Sequence, residues 1–272
     1  MVQDSAARVQ LQRLVKDNRA IALLILGCIG AIALLQVPQL RRLQNPSETL
    51  PLAELQGQLA AEAASLDVVR SLPSFGVGNL IANWTFLNFL QYFGDTEART
   101  RTDYSLSPQY FDIIVKHDPF FLRTYQYIST STSQYAGQPE RTVQLLNQGL
   151  ERMSPTFPPE SYLLWRYKGI DELLFLGNAS AARQSFETAA NWAEASGLPD
   201  SAIAADISRQ TAEFLVANPD SNYAQFSAWL MVLQTAPDST TQDNAAQRIE
   251  ALGGSFIRNP DGTFQVRPPA QD

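Results

Sequence analysis

Residues 182–189 read Ala182-Arg183-Gln184-Ser185-Phe186-Glu187-Thr188-Ala189, and the spacing of Ala182, Phe186 and Ala189 decides the fold class. Positions three and four apart share one face of a helix, so this helix presents a small, a large and a small side chain along one stripe. A small residue lets two antiparallel helices approach closely, and a large one fills the gap beside it. The preceding helix carries Trp165 and Gly169. The same order recurs upstream, where Tyr125 and Ile128 precede Thr142, Leu146 and Gly149, and the pair ends near Pro155. Farther upstream, Trp84, Leu87 and Asn88 open a helix, and Phe111, Ile114 and Pro119 close its partner. Self-similarity of this kind predicts stacked helix pairs.

Gly and Pro punctuate the chain from Gly94 to Pro237 at intervals that suit paired helices of roughly 12–17 residues. No strand alternation competes with the helical period before the tail. There, Phe256-Ile257-Arg258 and Thr263-Phe264-Gln265 flank Asn259-Pro260-Asp261-Gly262, a pattern for one short hairpin. The expected class is therefore all-α, with repeats over 78–252 and a tail over 253–272.

These helix pairs resemble tetratricopeptide repeats, whose pattern is an aromatic, Leu-Gly, Ala, an aromatic, Ala and Pro. Ala182, Phe186 and Ala189 match it best, and Asp118-Pro119 followed by Tyr125 comes next. The departures are a 40-residue spacing between the two triplets at Thr142 and Ala182, Asn88 and Ser129 at positions where the family favours Gly, and an insertion over 95–107. The resemblance implies an α-α superhelix of three to four hairpins that offers a concave groove to a peptide or protein. It assigns Trp84, Tyr125, Trp165, Ala182, Phe186 and Ala189 to repeat packing. It also implies a groove lined by Ala82, Thr85 and Phe89, then Arg123, Gln126 and Thr130, then Leu163, Arg166 and Ile170. Arg123 and Arg166 would there be basic points able to clamp a partner's carboxylate.

The N-terminal region is of another kind. Residues 20–40, AIALLILGCIGAIALLQVPQL, contain no charge, and as a helix they extend roughly 31 Å, enough to cross a bilayer. Arg19 bounds the run on one side and Arg41-Arg42 on the other. The apolar stretch exceeds that of a signal peptide, and no Ala-x-Ala site follows it. Cys28 reads as a small apolar residue of that helix. Four Lys/Arg precede the run and two follow it before Arg70, so the positive-inside rule places residues 1–19 in the cytoplasm and the body in a periplasm or thylakoid lumen. Residues 41–77 then form a juxtamembrane linker and an amphipathic helix, with Leu52, Leu55, Leu59, Ala63, Leu66 and Val69 on one face and a break at Ser71-Leu72-Pro73-Ser74-Phe75-Gly76.

Charge and composition exclude several functions. The first 42 residues hold six basic and two acidic side chains, and the rest of the chain holds 14 basic and 25 acidic. An acidic body repels phosphate backbones, which argues against nucleic-acid binding. One Cys and one His exclude a disulfide framework and a Cys/His zinc cluster. No phosphate loop, His-Glu-x-x-His or Gly-x-Ser-x-Gly occurs. His117 reads as a helix-end cation complementing the dipole, and Asp171-Glu172 as a solvated face, because adjacent helical residues diverge by about 100°. Thirteen of the 27 aromatic residues fall between Phe75 and Tyr127. Trp84, Phe86, Phe89, Tyr92 and Phe93 are too many for one buried face, and the surplus predicts an interaction patch.

The resulting expectation is a single-pass membrane scaffold or assembly factor that binds another protein, with no enzymatic activity and no cofactor. Two alternatives stand beside it: a membrane-tethered enzyme or substrate-binding accessory subunit, and a structural subunit of a membrane complex.

Overall fold

Leu55 and Leu66 are buried, and Leu59, Ala63 and Val69 half-buried, along one face of the first helix of the body, α1 (Leu52–Ser71). The computed structural model of the chain describes residues 25–32, 34, 36, 50–217, 222–236, 238–258 and 264–269. Two units divide after Leu50. In the first, residues 25–32 are helical and exposed. Among the described residues no helix is long and apolar enough to cross a membrane, and most of the 20–40 run, like residues 1–19 and 41–49, lies outside them.

The second unit is helical up to its tail. After α1 come α2 (Gly78–Gly94), α3 (Thr96–Arg101), α4 (Ser107–His117) and α5 (Leu122–Ile128), which passes into a π-helical turn over Ser129–Tyr135. Then follow α6 (Pro139–Leu150), α7 (Tyr162–Leu174), α8 (Ala179–Ser196), α9 (Ser201–Ala217), α10 (Asn222–Thr235) and α11 (Ser239–Ala251). Strands β1 (Ser255–Arg258) and β2 (Phe264–Arg267) pair antiparallel with Ser255 opposite Arg267, which is the hairpin expected of the tail.

Local chemistry sets these boundaries. Asp95, Asn178 and Asp238 cap α3, α8 and α11 by accepting from Ala98 N at 3.1 Å, Ala181 N at 3.0 Å and Thr241 N at 2.8 Å. Proline sits in the first turn of α4 and α6, where its missing N–H costs nothing. Gly197, at φ 71°, ends α8 in a left-handed conformation that a side chain would disfavour.

Successive helices pack side by side. Both α1 and α2 pack on α4, α4 on α6, α6 on α7, α7 on α8, α8 on α9, and α10 on α11. The largest core lies among α2, α4, α5 and α6, around Phe89, whose ring centroid is 4.7 Å from Phe111, 5.4 Å from Phe93 and 5.8 Å from Tyr110. A second core surrounds Trp229, which meets Phe175 edge-on at 5.2 Å, and the hairpin residues Phe256 and Val266 cover it. Around α8 the core is built of alanines, including Ala182, Ala189 and Ala193, so those helices lie close.

The small–large contacts read from sequence take a definite form. A Cβ on Gly169 would lie 3.0 Å from the Phe186 ring, and one on Gly149 would lie 2.2 Å from the Tyr125 hydroxyl. That hydroxyl donates to the Pro119 carbonyl at 2.9 Å and so has little freedom to retreat. Residues 95–107, expected as an insertion in the repeat pattern, contribute to the core. Arg99 is buried over the Tyr92 ring at 4.2 Å and donates to the Asp103 carbonyl at 3.1 Å, while Tyr104 and Leu106 are buried beside it.

Gly149→Ala should therefore destabilise the body by about 1–3 kcal/mol through overpacking. Gly57→Ala, on α1 with nothing within 4 Å of the new methyl, should be neutral or slightly stabilising. Thermal unfolding of the two full-length variants followed by circular dichroism checks both, and equal melting temperatures would contradict the packing described.

Candidate functional site

Turning 100° per residue, helix α2 places Ala82, Thr85, Phe89 and Tyr92 on one face and Leu80, Trp84 and Leu87 on the opposite one. The first face is buried. The second is open to solvent, with Leu80 63%, Trp84 59% and Leu87 54% exposed, and Leu90 extends it. All 17 residues of α2 lack charge, and Asn79, Asn83 and Gln91 are its exposed polar positions.

Two expectations change here. Trp84, assigned to repeat packing, stands outside the core, and Thr85 and Phe89, assigned with Ala82 to an open groove, are buried against α4. The physical reason is that α2 carries large apolar residues on both faces. The aromatic that anchors the helix is Phe89, half a turn away from Trp84. Phe86 and Phe93 are half-buried beside it.

The other groove positions fall on different helices. Arg123 and Gln126 are exposed on α5, Thr130 is half-buried in the π-helical turn, Leu163 and Arg166 are half-buried on α7, and Ile170 is exposed. Neither Arg123 nor Arg166 makes an ion pair among the described residues. Of the residues assigned to packing, Tyr125, Ala182, Phe186 and Ala189 are buried, and Trp165 is half-buried against Trp192 at 5.7 Å.

The loop before α2 also carries exposed apolar side chains. Phe75 is 85% exposed and adopts φ 45°, an uncommon conformation for a bulky residue, followed by Gly76 at φ 82°. The loop is tied to the end of α4. Ser74 Oγ lies 2.9 Å from His117 Nδ1, and Lys116 Nζ donates to the Arg70 carbonyl. A Cβ on Gly78 would strike the His117 carbonyl at 2.4 Å, so the start of α2 also presses on that end. His117 is thus not an open helix-end cation. Burial lowers its pKa, and Lys116 adds to the fall.

Beyond Lys116 a cleft of about 560 Å³ opens between the ends of α4 and α6. Val115, Pro119 and Phe120 form its apolar wall, and Lys116, Gln148, Glu151 and Arg152 its polar one. None of the residues expected to line a groove reaches it.

The polar interior lies elsewhere. Asp171 and Glu172, expected on a solvated face, are both buried. Ser133, from the π-helical turn, donates to Asp171 Oδ1, and its oxygen is 2.8 Å from the Thr142 hydroxyl on α6. With its single proton given to Asp171, Ser133 accepts from Thr142. Asp171 Oδ2 is buried with no well-formed hydrogen bond. Burial pushes the Asp171 carboxyl up to about 6, the Ser133 and Ser129 hydroxyls hold it back, and Glu172 adds a smaller push. Glu172 points to the other side, where Ser185 donates to it at 2.6 Å and Lys168 lies at 3.5 Å. The two carboxylates therefore bind separate partners and do not converge on a common point. Among the described residues no cluster of His, Cys, Asp and Glu is arranged to hold a metal ion.

Comparison with protein-family models, with curated proteins and with solved structures finds no match to this chain.

Asp171 generates a pH prediction. Its folded pKa exceeds the unfolded value of 3.8, so the folded state holds the proton more tightly. The stability this group contributes is complete below that value and is lost as pH rises to about 6. The melting temperature of Asp171→Asn minus that of the wild type should therefore increase across this window and level off above it. A difference that does not change with pH would contradict the buried, raised carboxyl.

Proposed function

We propose that this chain is a single-pass membrane protein whose tetratricopeptide-like helical stack, an α-α superhelix, holds another protein as a scaffold or assembly factor for a membrane complex. The uncharged 20–40 run serves as the anchor, and the basic residues before it keep the N-terminus cytoplasmic, with the acidic body on the other side. The partner is a membrane protein or its segment at the membrane surface.

The observation that carries this reading is the open face of α2. A charge-free helix with Leu80, Trp84 and Leu87 aligned in solvent has the composition of an interface core, where charged residues are depleted and Trp is enriched. Asn79, Asn83 and Gln91 supply a polar rim. The separated carboxylates and the satisfied Ser185–Glu172 contact give the interior a structural role, which supports binding over catalysis.

A benzophenone side chain at position 84, activated in native membranes, should yield one dominant crosslinked adduct. Trp84→Ala should weaken capture of the same partner about tenfold or more, on the scale of an aromatic hot spot. Charge reversal at Arg123 and Arg166 separates the α2 face from the groove, since it weakens capture only if the partner reaches α5 and α7. No adduct at position 84, together with full capture by Trp84→Ala, would remove the α2 face as the docking site.

A further inference from the structure

Helix α2 begins at an end of the body where apolar projections stand beside unpaired cations. Leu72, Phe75 and Val77 are exposed on the loop, and Phe75 projects on a left-handed backbone with almost all of its surface free. Strain at a bulky residue persists only where the surroundings hold it, and here the Ser74–His117 contact fixes the residue before Phe75. Next to the loop, Lys116 is held by the Arg70 carbonyl, and Arg152 faces the same cleft. Neither forms an ion pair among the described residues. Glu151 is the acid in that lining, and Phe120, 42% exposed, belongs to the apolar wall.

We propose that this end of the body docks on the lipid surface, with Leu72, Phe75 and Val77 in the interfacial layer and Lys116 and Arg152 on headgroup phosphates. An apolar tip flanked by cations matches the polarity gradient of a bilayer edge, where amphipathic elements bury their apolar groups a few ångströms deep. The chain itself supplies the surface. The uncharged run ends at Leu40, ten residues before Leu50, and ten residues reach at most about 35 Å. A tether that short makes docking intramolecular, so a contact too weak to recruit a free protein suffices to hold this one down. With the tip in lipid, the Leu80–Leu87 stripe is left to a neighbouring protein at the membrane surface. The docking rests on reading residues 20–40 as a span, and the test separates the two.

Full-length protein carrying Cys28→Ser and Phe75→Cys, labelled with an environment-sensitive fluorophore, is reconstituted into liposomes of phosphatidylcholine and phosphatidylglycerol with and without nitroxide-labelled lipid. Glu187→Cys, on the exposed face of α8, serves as the reference position. Quenching by nitroxide lipid should be roughly threefold stronger at position 75 than at 187, as for a tip seated in the interface. Adding Lys116→Glu and Arg152→Glu, both at exposed positions, should bring the two sites close together. Equal quenching at 75 and 187 in protein that floats with the liposomes overturns the docking and leaves the anchor standing. Shielding of position 75 in native membranes but not in pure lipid assigns this end to a protein, which also overturns it. Failure of the full-length chain to float with liposomes overturns the anchor and the docking together.

Discussion

A helix that is apolar on both faces needs cover on both, and among the described residues the body covers only the Phe89 face of α2. Its buried face meets α4 through Phe89, and burying that ring alone contributes about 1.5–3 kcal/mol. Phe111, Tyr110 and Phe93 surround Phe89, so α2 is the wall that closes the largest core. The same rotation that seats Phe89 turns Leu80, Trp84 and Leu87 outward. The exposed stripe follows from how the core closes. No repacking of α2 alone could bury both faces, because a side chain brought in on one face brings Phe89 out on the other.

The interior carries a second constraint. The π-helical turn places Ser133 against Asp171, and Thr142 completes the chain of hydroxyls across α6. One residue farther along α7, Glu172 receives Ser185 from α8. Two adjacent carboxylates thus join two helical segments to α7, the π-helical turn through Asp171 and α8 through Glu172, each by a bond that weakens if its partner shifts. Burying them costs stability, which the raised Asp171 pKa registers. In return they fix how the π-helical turn, α7 and α8 sit together.

The sequence carried the helical class and the small–large contacts because both depend on period alone. Ala182, Phe186 and Ala189 are buried on one stripe of α8, and Gly169 receives the Phe186 ring, as their spacing implied. The break at Ser71–Gly76 and the tail hairpin were legible from Gly, Pro and Asn-Pro-Asp-Gly. The faces of α2 were not. Trp84 and Phe89 are both plausible anchors, and periodicity cannot rank two apolar stripes on one helix. The spacing of Leu80, Trp84 and Leu87 was nevertheless there to be read, and with no charge in 17 residues it was the available signal for an exposed docking face. Asp171 and Glu172 were unreadable for another reason. Their partners are serines 38 and 13 residues away, on segments whose approach depends on the tertiary fold. The π-helical turn over Ser129–Tyr135 likewise leaves no mark in composition that separates it from an ordinary helix end.

Covering of the outer face of α2 in the membrane is what the functional account requires. Hydroxyl-radical footprinting of native membranes, read by mass spectrometry at the tryptophans, measures it directly. Trp229, which is fully buried, sets the protected limit, and Trp84 in the purified full-length protein sets the open one. Trp84 should approach the protection of Trp229 in membranes and lose it on purification. Equal reactivity of Trp84 in the two preparations would mean that nothing covers the stripe, and the scaffold reading would fail.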